Sequence, residues 1–469
     1  MYNIFHINRF LLFFIPLLSG CSASSFTDLF NNYTQQMTAV KQAQQQGNFQ
    51  QAIDSIPARS ATNVTYNLGL LEKARLEYLA NNNLQSRKYF SEVYKLIQQN
   101  QQKAKIEIGR GVENLAAVVS NDNAVRYDIP LYEQSMLHSY QALNYLTQYD
   151  LSGALVEIRR ANQVQETALE NNANASVSNS ETNITGLSQQ YPSMSSVIGS
   201  VKNGFQNAYT FYLSALLYEA AGQKNDAYID YKKALEIYPN NDYLQQNIWR
   251  LATTLQMSND INLFKQRFPS KITNGLAPYK QGQVIFIIEN GIVSAKQEAS
   301  LSLPIYTRHN EMRLYSVALP NYSNQLTVYS PLALTYQGND YQAEEIVRLQ
   351  SLAAKQLQDE LPVIVTRQIT RLIAKEEIRQ ALVRNGNDIG NIFANIYNLA
   401  SEKADTRSWS TLPDSIDILQ LGLSEGVHLL NIKINGINQQ IEVTVNQNKQ
   451  TLVTLSAIGR HVSYNTFNL

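Results

Sequence analysis

Residues 208–241 constrain the fold most, because they read as two helices joined by a short turn at residues 221–225. Large and small side chains recur at helical spacing, and a proline follows the second helix. The positions that carry this pattern are Phe211, Ala215, Tyr218, Ala227, Tyr231, Ala234 and Pro239. Small residues let two helices approach closely, large ones fill the space beside them, and proline stops a helix. One such unit cannot bury its own apolar face, so several units must stack.

This unit resembles the tetratricopeptide repeat (TPR). A second copy fits residues 135–165, through His138, Ala142, Tyr145, Ala154, Ile158 and Ala161. Weaker copies fit 34–57 and 66–97, although either of these could be a plain helical hairpin. A solenoid needs about three units, so the sequence predicts a TPR-like α-solenoid over residues 21–265. The polar, Asn- and Ser-rich residues 170–200 are expected to form a mobile insertion on its edge.

The hydrophobic pattern changes after Pro278 from helical spacing to strand alternation. Asn290-Gly291 and Asn435-Gly436 each lie between apolar runs, which is the strongest short signal for a β-hairpin. Residues 341–404 instead contain amphipathic helical runs, which Pro362 is expected to break or kink. These runs could pack on a sheet, contact a membrane or dock a partner. The chain is therefore predicted to be an α+β multidomain protein with a β-sandwich-like half at 280–469 and a helical segment inserted at about 341–404. Two separate small β domains are the alternative.

The pattern at the N-terminus predicts an export signal. A basic residue, Arg9, precedes the short apolar run 10–18, which ends in Leu18-Ser19-Gly20-Cys21. This tetrapeptide resembles the bacterial lipobox, and Cys21 is the single cysteine of the chain. The resemblance implies a signal peptide at 1–20 and a mature protein that begins at Cys21, acylated with palmitate-type chains. The alternative is an ordinary secretory signal with a buried cysteine. Because Ser22, not Asp, follows the cysteine, we expect an anchor in the outer membrane, facing the periplasm.

Several segments together resemble a family of uncharacterised bacterial lipoproteins with TPR repeats. The segments that carry the resemblance are 120–124, 140–146, 153–161, 289–291, 404–409 and 412–413. The resemblance spans most of the mature chain and implies no established activity. Members occur alongside lipoproteins that resemble activators of penicillin-binding proteins, which implies a place in the cell envelope.

Composition and motifs argue against several classes of function. The chain has 38 basic and 38 acidic residues, whereas nucleic-acid binding requires a basic excess. One cysteine excludes internal disulfides, and the five histidines have no paired metal-ligand spacing. No metal, no cofactor and no enzymatic activity are therefore expected. Residues 422–426 match G-x-S-x-G, but a strand-like run follows them, so we interpret this match as a β-turn rather than a nucleophile elbow.

We expect a membrane-anchored TPR scaffold that binds envelope proteins or peptide segments, with no nucleic acid among its partners. By resemblance, the first helices of the repeats line the partner groove with Ser139, Leu143, Tyr209, Tyr212, Leu216 and Glu219. The alternative function is binding of glycan or peptidoglycan by the β-rich half. Trp409 could anchor a sugar ring or a partner, but burial at the junction of helix and sheet is the favoured interpretation.

Overall fold

The computed structural model describes residues 32–110, 122–175, 190–268, 281–306, 312–384 and 403–469. Within these residues the fold is mixed, with helices in the first half and three sheets in the second. The signal peptide and Cys21 lie outside the described residues. So does the centre of the predicted insertion at 170–200.

The helical half consists mainly of hairpins in which a helix contacts the next along the chain, except for the short helix Ser195–Ile198, which contacts the later helix Leu349–Arg384. Its helices are α1 (Tyr33–Gln36), α2 (Thr38–Gln45), α3 (Phe49–Asp54), α4 (Tyr66–Leu79), α5 (Asn83–Arg110), α6 (Leu131–Leu146), α7 (Leu151–Ala175), α8 (Ser195–Ile198), α9 (Ala208–Ala220), α10 (Lys224–Ile237), α11 (Asp242–Thr254) and α12 (Ser258–Arg267). A hairpin occupies each of the four predicted repeat positions, and α11 with α12 adds another pair. Helix α7 continues to Ala175, so the first residues of the predicted insertion are helical.

The same tight turn closes each of these helix pairs. One residue takes a left-handed backbone conformation, and the residue after it donates its N–H to a carbonyl five positions earlier, as Gln223 does to Tyr218 at 2.8 Å. This is the Schellman ending of a helix, which normally uses glycine at the left-handed position. The left-handed residues are Gly47, Asn81, Tyr149, Gly222 and Gln256.

The second half contains eleven strands in its described residues. They are β1 (Gly282–Asn290), β2 (Gln297–Tyr306), β3 (Met312–Asn321), β4 (Ala333–Tyr336), β5 (Asn339–Gln342), β6 (Glu344–Arg348), β7 (Ser415–Leu423), β8 (Gly426–Ile434), β9 (Ile437–Val445), β10 (Gln450–Ile458) and β11 (His461–Asn468). One sheet has the order β11-β10-β1-β7-β6, a second has the order β5-β4-β8-β9, and β2 pairs with β3. Strand β1 runs parallel to β10 and antiparallel to β7.

One of the two hairpin predictions is confirmed and the other is wrong. Asn435 and Gly436 both have positive φ and join β8 to β9, with Ile434 opposite Ile437. Asn290-Gly291 instead ends β1, whose two neighbours are the distant strands β10 and β7. A local hairpin is excluded there because both edges of β1 are already paired.

The core lies between the helices and the five-stranded sheet and extends into the four-stranded sheet. Every residue of β1 and β10 is buried, as expected for strands covered on both faces. The inward residues of the four-stranded sheet belong to the same hydrophobic core: Leu334, Leu430, Ile432, Ile434, Ile441, Val443 and Val445. The helical half and the β-rich half are therefore packed through one continuous core.

The inserted helical segment begins later than predicted and is not interrupted at its proline. Strands β5 and β6 occupy residues 339–348, and helix α13 runs from Leu349 to Arg384 through Pro362. Pro362 is exposed, so its ring faces solvent rather than a packed neighbour. The helix packs against the β2–β3 hairpin in a second small core, formed by Leu301, Val317, Leu319, Val365 and Leu372. Of the predicted helical segment, residues 385–402 lie outside the described residues. Residues 403–409 have no regular secondary structure and are followed by a turn at 410–411 and bends at 412 and 414.

Candidate binding site

The residues predicted to line a partner groove lie on α6 and α9, but they face the interior. The exposed fractions are 1% for Ser139 and 2% for Leu143, and 0% for Tyr209, Tyr212 and Leu216. The prediction of an open groove along the first helices is therefore wrong, because five of the six residues are buried within the chain itself.

At Tyr212 a contact with the sheet contributes to this burial. The side-chain amide of Gln420, on β7, donates to the hydroxyl of Tyr212, and Asn247 on α11 donates to Gln420 at 3.1 Å. Glu219 lies nearer the surface, where Arg250 holds its carboxylate with two hydrogen bonds of 2.5 and 2.7 Å. The five buried residues therefore belong to the core of the fold, and at Tyr212 the sheet takes the place expected for a partner.

A buried ionic cluster joins the helices to the centre of the sheet. Glu289 on β1 accepts hydrogen bonds from Arg75 of α4 at 2.5 Å, from the Tyr140 hydroxyl at 2.6 Å, and from Ser456 on β10. The guanidinium of Arg75 lies 4.5 Å from the centre of the Tyr140 ring. A buried charge without partners would be costly, so this cluster fixes the helices in one position on the sheet.

A segment of the chain itself without helix or strand, residues 404–414, crosses the inner side of α4 and α6, with a turn at residues 410 and 411. Two carboxylates hold its backbone: Glu133 accepts from the Trp409 N–H at 2.9 Å. Glu72 accepts from the N–H groups of Ser410 at 2.8 Å and Thr411 at 2.9 Å. Three successive backbone donors are thus satisfied by side chains of two different helices. We call residues 404–414 the captured segment.

Trp409 anchors the captured segment. It is 1% exposed, and its ring centre lies 5.8 Å from that of Phe90 and 6.0 Å from that of Tyr140. The favoured interpretation of burial is confirmed, and a role for this residue as an exposed anchor is excluded.

Burial also changes the protonation of the two clamping carboxyls. Desolvation raises the pKa of Glu133 to about 7, against the opposing effect of the Trp409 N–H and the Tyr127 hydroxyl. Desolvation likewise raises the pKa of Glu72, although the groups of Ser410 and Thr411 favour its charged form. Sequence reasoning did not find these two residues, because an isolated glutamate in a helix normally indicates a solvated position.

The G-x-S-x-G match lies between two strands of different sheets. Strand β7 of the five-stranded sheet ends at Leu423 and β8 of the four-stranded sheet begins at Gly426, so Ser424 and Glu425 form a short bend between the sheets rather than the predicted β-turn. His428 bridges this bend to Tyr336, with 2.8 Å from its Nε2 to the Ser424 carbonyl and 2.7 Å from its Nδ1 to the Tyr336 hydroxyl. A nucleophile elbow requires a helix after the serine, and a strand stands there.

Two further findings concern the described part of the chain. It contains no group of three or more His, Cys, Asp or Glu side chains placed to hold a metal ion. None of its helices combines the length and the apolar character needed to cross a bilayer.

Two surface cavities are candidates for binding, and the first lies where the α6–α7 turn meets β11. A cavity of about 300 Å³ opens there. Its lining consists of Asn83, Leu146, Thr147, Tyr149, Leu151, Asn465, Thr466, Phe467, Asn468 and Leu469. Tyr149 is 93% exposed. A larger cavity of about 570 Å³ lies between the end of α10 and the start of α13. Arg348 lines this cavity, and its guanidinium already donates hydrogen bonds to the Thr327 carbonyl and to Glu345.

Comparison with known proteins adds little to this description. No protein-family model and no curated protein matches the chain. Among solved structures, a crystal structure of MamA has 11% sequence identity, covers 51% of this chain and 96% of MamA, and has a TM-score of 0.28. A second MamA structure has 12% identity, 52% and 96% coverage, and the same TM-score of 0.28. Such a low TM-score carries no argument about fold or function.

Proposed function

We propose that this protein is a lipid-anchored lipoprotein of the bacterial cell envelope whose folded body is a TPR-like scaffold for protein–protein interaction. Its anchor is the acylated Cys21, held in the outer membrane with the body facing the periplasm. The body is a binding module without catalytic chemistry of its own.

The captured segment is the observation that carries this proposal. Helices α4 and α6 hold a non-helical polypeptide segment by its backbone, through Glu72 and Glu133. This is how a helical-repeat groove would hold an external peptide, since backbone contacts are independent of side-chain sequence. Here the occupant is part of the same chain. Partners therefore bind the outer surfaces, while the inner groove gives the scaffold its rigidity.

The arrangement of helices and sheets supports the finer architecture within this proposal. Apart from α8, which contacts α13, helices α2 to α12 follow one another in contact, and one type of turn closes each of the five helix pairs, which favours a TPR-like solenoid. The two larger sheets contribute inward residues to one core, which favours a β-sandwich-like second half.

The anchor is tested by metabolic labelling. Cells that express the wild type in the presence of radiolabelled palmitate should yield a labelled, membrane-bound protein, because the thiol of Cys21 is the attachment point. Cys21→Ser should give an unlabelled protein that leaves the membrane fraction. A wild-type product without label would overturn the lipoprotein assignment.

The scaffold role is tested by crosslinking in intact cells, followed by mass spectrometry. The wild type should give a reproducible set of envelope proteins, and Cys21→Ser, which is folded but not anchored, should lose most of them. Equal recovery from both forms, or no reproducible partner from the wild type, would argue against an anchored scaffold.

Binding of glycan by the β-rich half is the second candidate, favoured by the outer face of the four-stranded sheet. Thr335, Asn431 and Gln440 are exposed and adjacent in register across β4, β8 and β9. Gln440 donates to Asn431 at 3.2 Å, and Asp340 and Lys433 lie on the same face. Such a face offers both donors and acceptors to sugar hydroxyls.

This candidate is tested by co-sedimentation with purified peptidoglycan. The amount of protein that sediments should fall several-fold in the double variant Asn431→Ala/Gln440→Ala, whereas a wild type that stays in the supernatant would remove this candidate.

A further inference from the structure

Strand β11 forms one edge of the five-stranded sheet and, among the described residues, pairs only with β10. It has eight residues without Lys, Arg, Asp, Glu or Pro, and its register with β10 is continuous. The opposite edge strand, β6, is different: it has five residues, three of them charged, and a shift in register. Folded proteins normally protect sheet edges with charges, proline, bulges or short strands. Strand β11 has none of these protections.

The hydrogen bonds at the end of β11 show which backbone groups face outward. The N–H of Leu469 donates to the carbonyl of Gln450 at 2.9 Å. In an antiparallel pair, alternate residues direct their N–H and C=O groups towards the partner strand. Counting back from Leu469, the residues that direct their backbone groups away from β10 are Val462, Tyr464, Thr466 and Asn468. These four residues offer donors and acceptors at the spacing of an added strand.

The 300 Å³ cavity lies beside the second half of this edge, on the side of the helices. Its lining combines amide, hydroxyl and apolar side chains and includes no charged side chain. A strand placed alongside β11 would direct every second side chain towards the helices. One of these side chains would enter the cavity, and an uncharged one suits its lining.

Tyr149 borders the cavity in a backbone conformation that a large side chain rarely adopts. Its φ is 57°, at the turn position where two of the other helix pairs have Gly47 and Gly222. The left-handed conformation is sterically unfavourable for a residue with a side chain. Because Tyr149 is 93% exposed, burial of its ring within the chain does not offset this cost. Strain kept at an exposed aromatic residue beside a cavity is typical of a recognition site.

We propose that the β11 edge, the cavity and Tyr149 form a binding site for an extended, uncharged peptide segment of a partner protein. The segment adds as a strand to β11, and one of its side chains fills the cavity under the Tyr149 ring. Backbone hydrogen bonds supply affinity and the cavity supplies specificity. The inference rests on the proposed scaffold function and identifies its site and the chemistry of the ligand.

The test uses a displayed library of random dodecapeptides selected against the purified full chain in detergent. An enriched peptide is synthesised with a fluorophore and titrated against the wild type and three variants. Tyr149→Gly removes the ring at a position that glycine prefers. Thr466→Pro removes an outward N–H but no hydrogen bond to β10, and proline is tolerated at such edge positions. Gln256→Gly is the matched control, because it makes the same kind of change in the α11–α12 turn, which does not line the 300 Å³ cavity.

We expect Tyr149→Gly and Thr466→Pro each to weaken binding at least tenfold, with melting temperatures no lower than that of the wild type. Gln256→Gly should bind as the wild type does. Hydrogen exchange should show that the peptide protects the amides of Val462, Tyr464, Thr466 and Asn468.

Three outcomes would overturn the inference. The selection enriches no peptide, the enriched peptides bind Tyr149→Gly and Thr466→Pro as tightly as the wild type, or sedimentation shows that two copies of the chain pair through β11 and exclude the peptide. The scaffold function has a separate readout: if both variants still capture the wild-type partners in cells, the scaffold stands and only this site is wrong.

Discussion

Arg75 on α4 and Glu289 on β1 form a buried ion pair in which Nη2 lies 2.5 Å from Oε2. The exposed fractions of the two side chains are 1% and 7%. The pair joins the helical half to the central strand of the five-stranded sheet. It belongs to the interface that a partner was expected to occupy, and it indicates that this interface is permanent.

Removal of one member of this pair should destabilise the whole protein. Arg75→Leu leaves the carboxylate of Glu289 buried without its cation, which typically costs about 3–5 kcal/mol. Urea unfolding followed by tryptophan fluorescence measures the change. The double variant Arg75→Leu/Glu289→Leu should recover much of the loss, because the buried charge is gone. Equal losses in the single and double variants would contradict a role for charge compensation.

Stability should fall as the pH rises from about 4.5 to 7. Burial raises the pKa of Glu133 from 4.5 to about 7, and those of Asp414 and Asp417 from 3.8 to about 6. Between these values the folded state binds more protons than the unfolded state, so the free energy of unfolding decreases with pH. The three carboxyls contribute fully to stability below the pKa values that they have in the unfolded chain. This contribution is lost above the pKa values that they have in the folded protein. Melting temperatures measured across this pH range test whether stability falls as the pH rises. Glu133→Gln should make this fall of the melting temperature with pH less steep. A stability that increases through this range would contradict the assignment.

Tyr149→Gly should raise the free energy of unfolding by about 1 kcal/mol, because glycine adopts a positive φ without the steric cost that a side chain has. Gln256→Gly should have a similar effect, since Gln256 has φ 56° in the equivalent turn. Chemical unfolding of both variants measures these gains. A loss of stability specific to Tyr149→Gly would mean that its ring contributes to folding, which would weaken the case for recognition.

Gly204→Ala should loosen the docking of α13. A Cβ at residue 204 would lie 2.5 Å from the Cα of Gln356, which is helix backbone and cannot rotate away. A cost of about 1–3 kcal/mol is expected for such overpacking, seen as faster hydrogen exchange in α13. Gly69→Ala is the control, because its Cβ would meet only the Arg59 side chain at 3.4 Å. Unchanged exchange in Gly204→Ala would show that the loop adjusts.

The helical half could be predicted because its signal is local. The small residues expected at helix crossings are fully buried. The exposed fraction is 0% for Ala142, Ala154, Ala215 and Ala227. The hairpin at Asn435-Gly436 was predictable for the same reason, since a turn and its flanking strands are adjacent in sequence.

The site was not predictable, because its contacts join distant parts of the chain. Glu72 meets Ser410, and Glu133 meets Trp409, and no periodicity marks a glutamate that will be buried by a segment far away. The same reason explains the error at Asn290-Gly291. Its signal for a turn is genuine, but the position of β1 between β7 and β10 decides the pairing.

The position of β1 between β7 and β10 also determines when the sheet can form during synthesis. The ribosome makes helices α2 to α12 first, whereas the strands that flank β1 come near the end of synthesis. Until those strands arrive, the apolar inner faces of the helices have no cover, and non-local pairing of this kind forms slowly. A product that stops before residue 404 would therefore expose a large apolar surface. We expect holdase chaperones to bind such a product and proteases to degrade it, so that it does not function as a shorter form of the protein.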